Sequence, residues 1–281
     1  MSGVITGPYF KTAFGDPETG APPTAAQIGT VVSVLEVGAF VTSLLAGRLA
    51  DLKGRRWVIA VGSLVFTLGG LLQASATNLW MLGLGRIISG LGVGFLSMIV
   101  PIFASEVRPE RVKRARLRPR PHGLTDLSAH LQVSGKEERG LLGCVQFTLN
   151  VSGYAASVWI DYASSFLRSN MSFRLPLLLQ SVIGLLLFVG SFLLPESPRH
   201  LFASGQPEAG RAVLCQLRGL RDGDERLELE IAEIEEVVAI EEKEPDRSYQ
   251  ALWRRYKGRV LIAMSSQAGA QLSGINVIRR V

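Results

Sequence analysis

Five uncharged amides stand out because they fall inside otherwise apolar stretches. Gln146 and Asn150 are four residues apart, a spacing that puts both on one helix face. Gln267, Gln271 and Asn276 follow one another along a later apolar stretch. An amide offers both a donor and an acceptor, which suits a neutral ligand rich in hydroxyl groups. Hydrogen bonding between helices is the plainer use of the same residues. Ionisable residues form the second set. Arg86 and Glu36 interrupt apolar runs; such residues are costly in lipid and turn to a bundle interior or a cavity. Asp51 sits among Arg48, Arg55 and Arg56, where a charge cluster is easy to build. Glu106, Arg139, Glu196 and Arg199 fall at the ends of apolar stretches. Nothing resembles a catalytic constellation. The two cysteines, Cys144 and Cys215, and the three histidines lack metal-ligand spacing. No metal, cofactor or enzymatic activity is expected.

These residues need helices to position them, and the composition says which kind. The chain has 281 residues, 47% hydrophobic and 19% charged, below the roughly 25% charged share of a soluble domain. The charges come in blocks with long apolar runs between them. A bilayer core takes about 20 apolar residues as a helix, and six segments fit: 28–46, 57–76, 79–103, 140–160, 175–194 and 260–278. Many positions in them are Gly, Ser or Thr, which let helix backbones approach closely in lipid. The expected class is an all-α membrane protein whose direct partner is the lipid bilayer.

The net charge of +6 does not point to nucleic acid. Seven Arg and Lys against two acids lie in 107–132 alone, and the rest of the chain is near neutral. No aromatic-interleaved basic motif accompanies them. That segment is Arg/Pro-rich without apolar periodicity, so it reads as a disordered insertion. Lys and Arg crowd alternate connections: Arg48, Lys53, Arg55 and Arg56 in one, the basic block in another, Arg199 and 254–259 at the ends of a third. By the positive-inside rule these face the cytoplasm. Between 195 and 259, Pro207–Leu217 reads as a short helix with Pro in its first turn. Asp224–Glu244 reads as an acidic helix with a narrow stripe at Leu227, Ile231, Ile234 and Val238. Glycines 90, 92 and 94 lie inside an apolar stretch. They serve helix packing there, since a dinucleotide fingerprint needs a preceding strand.

Five ordered motifs carry a family resemblance. They are Gly47-Arg-Leu-Ala-Asp-Leu-Lys-Gly-Arg-Arg56; Arg86-Ile-Ile-Ser-Gly-Leu-Gly-Val-Gly94; Pro101-Ile-Phe-Ala-Ser-Glu106 with Arg139-Gly140 and Gln146; Pro195-Glu-Ser-Pro-Arg199; and Gln271-Leu-Ser-Gly-Ile-Asn276. In order and spacing they resemble the sugar porter family of the major facilitator superfamily. The resemblance implies a partial major facilitator bundle: the N-terminal half plus the first span of the C-terminal half. It implies transport of a sugar or polyol by alternating access, with protons as a candidate co-substrate. Gln146, Gln271 and Asn276 become the expected sugar contacts, with Asn150 and Gln267 beside them. Asp51, Arg55, Arg56, Arg86, Glu106, Arg139, Glu196 and Arg199 become the expected cytoplasmic charge network.

The chain also departs from that pattern. Ser2–Gly7 matches only the last turns of a first span, the later spans have no counterpart, Ala270 stands where many relatives have glutamine, and 107–132 interrupts a short loop. The expected organisation is an N-terminal transmembrane half at 1–199, a cytoplasmic helical linker at 200–257 and a truncated span at 258–281. On this reading the chain is a non-functional piece of a multi-pass plasma-membrane transporter. A non-transporting sugar sensor or regulator of the same fold is the alternative. A sequon at Asn170-Met-Ser172 falls on the expected external side.

The topology is testable by single-cysteine labelling in a background lacking Cys144 and Cys215. Cysteines placed at Leu52 and Ile240 should react only from the cytoplasmic side, and external labelling of Ile240→Cys would reverse the orientation.

Overall fold

In the computed structural model, residues 8–15, 21–107, 134–167, 169–242 and 249–272 are described, and their regular elements are all helices. In chain order these are α1 (Pro8–Ala13), α2 (Ala25–Lys53), α3 (Arg55–Ala74), α4 (Leu79–Val107), α5 (Ser134–Ser165), α6 (Met171–Ser191), α7 (Pro198–Ala203), α8 (Pro207–Arg218), α9 (Glu225–Glu242) and α10 (Tyr249–Leu272). The chain divides into two compact units, Gly3–Leu229 and Glu230–Val281, with the division inside α9. The first unit thus takes in the rest of α7 beyond residue 199 and all of α8, stretches that the sequence placed in the linker at 200–257.

Four of the six expected spans, α2, α3, α4 and α6, are long and apolar enough to cross a membrane. The fifth lies within α5, a 32-residue helix diluted by Gln146, Thr148, Asn150 and Ser152. The sixth begins in α10 and runs into 273–281, outside the described residues, as do most of 107–132 and Asn276. The surface of the bundle is what lipid requires. Val37, Phe40, Val41, Leu44 and Leu45 on α2, and Val182, Ile183, Leu186 and Val189 on α6, are exposed. Large apolar patches of this kind mark a non-aqueous surrounding. Trp57, Trp80 and Trp159 are exposed near span ends, where indole rings settle at a membrane–water interface.

Within the first unit, α4 is the central helix, packed against both α2 and α3, and α3 packs in turn on α6. Glycines set these contacts. On α4, Gly90 and Gly94 lie against the backbone of α2 at Leu35 and Ala39, while Gly85 and Gly92 lie against α3. A Cβ on Gly92 would come 2.6 Å from the Gly62 carbonyl oxygen, and one on Gly38 would come 2.7 Å from that of Ile87. The glycine run at 90–94 therefore serves helix packing, as the sequence suggested. With lipid outside, close van der Waals contact replaces the hydrophobic drive of a soluble core. Gln73 adds a polar tie between α3 and α4: its Nε2 donates to Ser89 Oγ at 2.6 Å and to the Gly85 carbonyl at 3.1 Å.

The helix starts follow local chemistry. Thr24 caps α2 through a capping box: Gln27 N–H donates to Thr24 Oγ1 (3.3 Å), and Thr24 N–H donates to Gln27 Oε1 (2.9 Å). Two apolar clusters close the bundle at opposite ends. At one, Phe10 and Phe14 meet Phe173, ring centroids 6.0 and 5.4 Å away, together with Val31, Ala74, Leu82 and Leu177. At the other, Ala46, Ala50, Val58, Ile59, Ile99 and Phe103 pack together.

The second cluster explains a departure from expectation. The stretch 47–56 does not form a loop, because α2 continues to Lys53 and α3 begins at Arg55. Ala46 and Ala50, one helical turn apart, keep a buried stripe through that stretch. The chain reverses at Gly54 alone, whose φ of +96° is open to glycine and strained for other residues. In α9, the expected stripe is present: Leu227, Ile231 and Val238 are buried and Ile234 is half-buried.

Gly90→Leu should lower the melting temperature of the detergent-solubilised chain or abolish its folding, because overpacking costs about 1–3 kcal/mol and here the clash is with backbone. Gly83, which faces open space on the same helix, provides the comparison: Gly83→Ala should leave the melting temperature unchanged or raise it. Equal losses in both variants would mean that the α2–α4 contact is not close-packed.

Candidate functional site

Among the described residues, the end of the bundle marked by Gly54 carries a converging group of polar side chains. Arg55 opens α3 with its guanidinium turned inward, against Asp51 at the end of α2, Glu106 at the end of α4 and His200 on α7. Its Nε donates to Glu106 Oε2 at 3.1 Å and its Nη2 to Glu106 Oε1 at 3.2 Å. This is a two-pronged contact, the strongest form of arginine–carboxylate bond. Asp51 Oδ1 lies 3.2 Å from Nη2. Nη1 donates to the Ala50 carbonyl at 3.1 Å and meets His200 Nδ1 at 3.1 Å. The Arg55 and Glu106 side chains are 10% and 7% exposed, while Asp51 is 66% exposed. The Arg55–Glu106 pair is therefore the part shielded from water, and Asp51 contributes from the rim.

Glu106 has one further partner. Ser197, fully buried before α7, donates its Oγ to Glu106 Oε2 at 2.5 Å. Glu196, next to it, works on the backbone. Its Oε1 accepts the N–H groups of Arg55 (2.9 Å), Arg56 (3.2 Å) and Ser197 (3.0 Å). Two of those belong to the first turn of α3, whose N-terminal N–H groups have no partner within the helix. Glu196 is thus a capping carboxylate supplied from 140 residues downstream, placed where the helix dipole favours negative charge. Its Oε2 occupies the space beside Gly54 that a Cβ would need. Arg56 reaches the other way, donating from Nη2 to the Phe192 carbonyl at 2.8 Å. Arg218 joins α8 to the same end by donating to the Val107 carbonyl at 2.9 Å.

Of the expected charge network, Asp51, Arg55, Glu106 and Glu196 converge on one centre, and Arg56 flanks it. Arg86 lies elsewhere, buried about two turns into α4 from its N-terminus, and Glu36 is exposed on α2. Arg199 is half-buried in the first turn of α7. Arg139 falls in α5, but its side chain is outside the described residues. Two members of the cluster escaped notice in the sequence. Ser197 lay inside a motif read for its charges. His200 adjoins that motif as an isolated ring without a metal-like neighbour.

The amides are less assembled. Gln146 is half-buried and Asn150 exposed on α5. Gln267 is exposed on α10, and the side chains of Gln271 and Asn276 are outside the described residues. Outside the spans, Arg211 on α8 bridges Asp222 (2.7 Å) and Glu228 (2.6 Å). These bonds, Asp222 first, raise the guanidinium pKa. The group is open to water, where such pairs add little stability.

Comparison with known proteins bears on the whole chain. The family model described as "Sugar (and other) transporter" matches residues 1–117 and 132–279, leaving a gap inside the basic block. The MFS-type transporter criB of Aspergillus cristatus is 35% identical over 262 residues, covering 91% of this chain and 50% of that protein. High-affinity glucose transporter 1 of Candida albicans is 29% identical, covering 99% and 46%. Sugar transport protein MST3 of Oryza sativa subsp. japonica is 31% identical, covering 89% and 42%. The chain spans about half the length of the curated relatives it matches. Among solved structures, a partially occluded inward-open form of the xylose transporter XylE from E. coli superposes with a TM-score of 0.61 at 18% identity, covering 85% of this chain and 55% of that one. The proton:xylose symporter XylE bound to 6-bromo-6-deoxy-D-glucose gives 0.59 at 21%, covering 93% and 51%. The fold is that of a partial major facilitator bundle.

Glu196→Ala should destabilise the chain by about 1–2 kcal/mol, the loss expected for a helix N-cap, read as a lower midpoint in thermal unfolding. Glu196→Asp should recover only part of it, since the shorter arm retreats from the first turn of α3. A Glu196→Ala variant as stable as the parent would remove the capping role.

Proposed function

The chain belongs to the sugar (and other) transporter family, and from that premise we propose that it serves the movement of a sugar or polyol across a membrane by alternating access, as the N-terminal portion of the transport path. The observation that carries this reading is the polar clamp at Gly54. It joins the ends of α2, α3, α4 and α7, at the end of the bundle where the Lys/Arg bias places the cytoplasm. A clamp of buried ions and hydrogen bonds has two discrete states, made and broken. A transporter needs such an element at each face if its central site is to open to one side at a time. Made, it holds the cytoplasmic ends together; broken, it lets them part. The plasma membrane is the proposed location.

The proposed cargo contacts are amides in the apolar stretches. Gln146 and Asn150 on α5, with Gln267, Gln271 and Asn276 in the later apolar stretch, would replace the water that sugar hydroxyls lose on entry. Neutral amides suit an uncharged ligand, which a buried charge would not. Glucose transport by the Candida protein and xylose by XylE, as their names state, support sugars as the first ligands to try. Protons are the proposed co-substrate, supported by the same symporter.

Labelled glucose, xylose and inositol can be tested for binding and counterflow in proteoliposomes, with the chain itself and with a chimera extended to the length of its relatives. Losing one buried neutral hydrogen bond costs about 1–3 kcal/mol, and about 1.4 kcal/mol is tenfold in affinity. Gln146→Ala and Asn276→Ala should therefore weaken sugar binding by roughly 5- to 100-fold while membrane insertion stays intact. Unaltered affinity in inserted variants would reduce these amides to helix–helix contacts. Binding without counterflow in the chimera would favour a sensor. Counterflow that ignores an imposed pH gradient would remove the proton.

A further inference from the structure

We infer that His200 is a positioning residue for Arg55 and that only its neutral ring can do this, so the clamp around Gly54 is sensitive to acid on that side of the membrane. The argument starts from a count. A guanidinium has five N–H donors and no acceptor. Around Arg55 there are five acceptors: Glu106 Oε2 for Nε, Glu106 Oε1 and Asp51 Oδ1 for Nη2, and the Ala50 carbonyl and His200 Nδ1 for Nη1. Glu106, the Ala50 carbonyl and His200 meet Arg55 at hydrogen-bond geometry and Asp51 as an ion pair at 3.2 Å, so His200 is the second partner of Nη1. Since arginine only donates, Nδ1 must accept, and the ring carries its proton on Nε2.

Protonation changes both sides of that contact. A proton on Nδ1 removes the lone pair that Arg55 Nη1 needs and places a second cation against the guanidinium. Histidine is the side chain whose charge ordinarily changes between about pH 5 and 8. The surrounding charges decide whether the new cation finds another home. The charged groups at this end are Asp51 from α2, Arg55 and Arg56 from α3, Glu106 from α4, Glu196 just before α7 and Arg199 within it; α8, packed on α7, carries Glu208, Arg211, which pairs with Asp222 and Glu228, and Arg218, which bonds the Val107 carbonyl. The carboxylates of the clamp already have partners: Glu106 has Arg55 and Ser197, Glu196 has three backbone N–H groups, and Asp51, at the rim, pairs with the same guanidinium. An imidazolium at position 200 would stand directly against the Arg55 guanidinium, at the contact the neutral ring makes. The contact holds while the ring is neutral and is lost as pH falls. The conclusion concerns the chemistry of the clamp and does not depend on which cargo crosses.

Two measurements on the full chain in lipid nanodiscs test it. With histidine and arginine 15N-labelled, and His200 assigned from the spectrum of His200→Asn, the His200 Nδ1 resonance should be that of an unprotonated nitrogen at pH 8. The Arg55 resonances should shift with the same midpoint as the imidazole when pH is lowered. Separately, melting temperatures are compared at pH 8 and 5.5. His200→Asn keeps a neutral acceptor near the place of Nδ1 and cannot take a charge. The parent chain should lose about 2–4 °C more than this variant on acidification, the shift that one ordinary hydrogen bond produces in a chain of this size. A protonated Nδ1 at pH 8, Arg55 resonances indifferent to the imidazole titration, or a parent chain that gains stability relative to His200→Asn at pH 5.5 would each overturn the inference.

Discussion

A buried guanidinium must find acceptors for five N–H groups, and this one requirement organises the charged end of the bundle. Arg55 follows directly on a one-residue turn, so its side chain is fixed close to the backbone reversal. Its acceptors come from α2, α4 and α7, three elements that share no local sequence. Satisfying Arg55 therefore brings three helix ends to one point. Leaving any donor unmatched in a region of low water content would cost more than the bond is worth when made. Glu196 adds the complementary constraint, holding the first turn of α3 by its backbone while Arg55 holds the others by its side chain.

Glycine packing makes that convergence geometrically available. Gly90 and Gly94 on one side of α4, and Gly85 and Gly92 on another, bring α2 and α3 against its backbone. Larger residues would push the helices apart along their whole length and move Asp51, Arg55 and Glu106 out of reach of one another. The links therefore run from small residues in the spans, through close helix axes, to a clamp at their ends. In the proposed cycle, the clamp is the part that must be able to break, while the glycine contacts keep α2, α3 and α4 moving together.

Much of this was legible in the residues. Long apolar runs, blocks of charge and a capping pair at Thr24 and Gln27 locate the helices with little tertiary information. The glycines at 90–94 were readable as packing elements because they sit in an apolar run with no strand before it. The charges at 47–56 point to a connection, but the stretch is helix on both sides of Gly54 because Ala46 and Ala50 extend the buried stripe beneath Arg48 and Lys53. Asp51 is a local partner of Arg55, four residues before it, but Glu106 and His200 lie 51 and 145 residues away, and no periodicity reports contacts of that separation. Their motifs were readable through family resemblance, and Ser197 and His200 only through geometry. The amides of α5 and of 267–276 remain a proposal from side-chain chemistry, since Gln146 and Gln267 belong to separate compact units.

The central claim is that Arg55 and Glu106 act as one unit and not as two scattered surface ions. A double-mutant cycle with Arg55→Met and Glu106→Leu, read by thermal or denaturant unfolding in detergent, tests it most directly. Either single change leaves a buried charge alone and should cost about 3–5 kcal/mol. The double variant should recover much of that loss, with a coupling energy on the order of 1–3 kcal/mol. Losses that simply add, to within about 0.5 kcal/mol, would contradict the account.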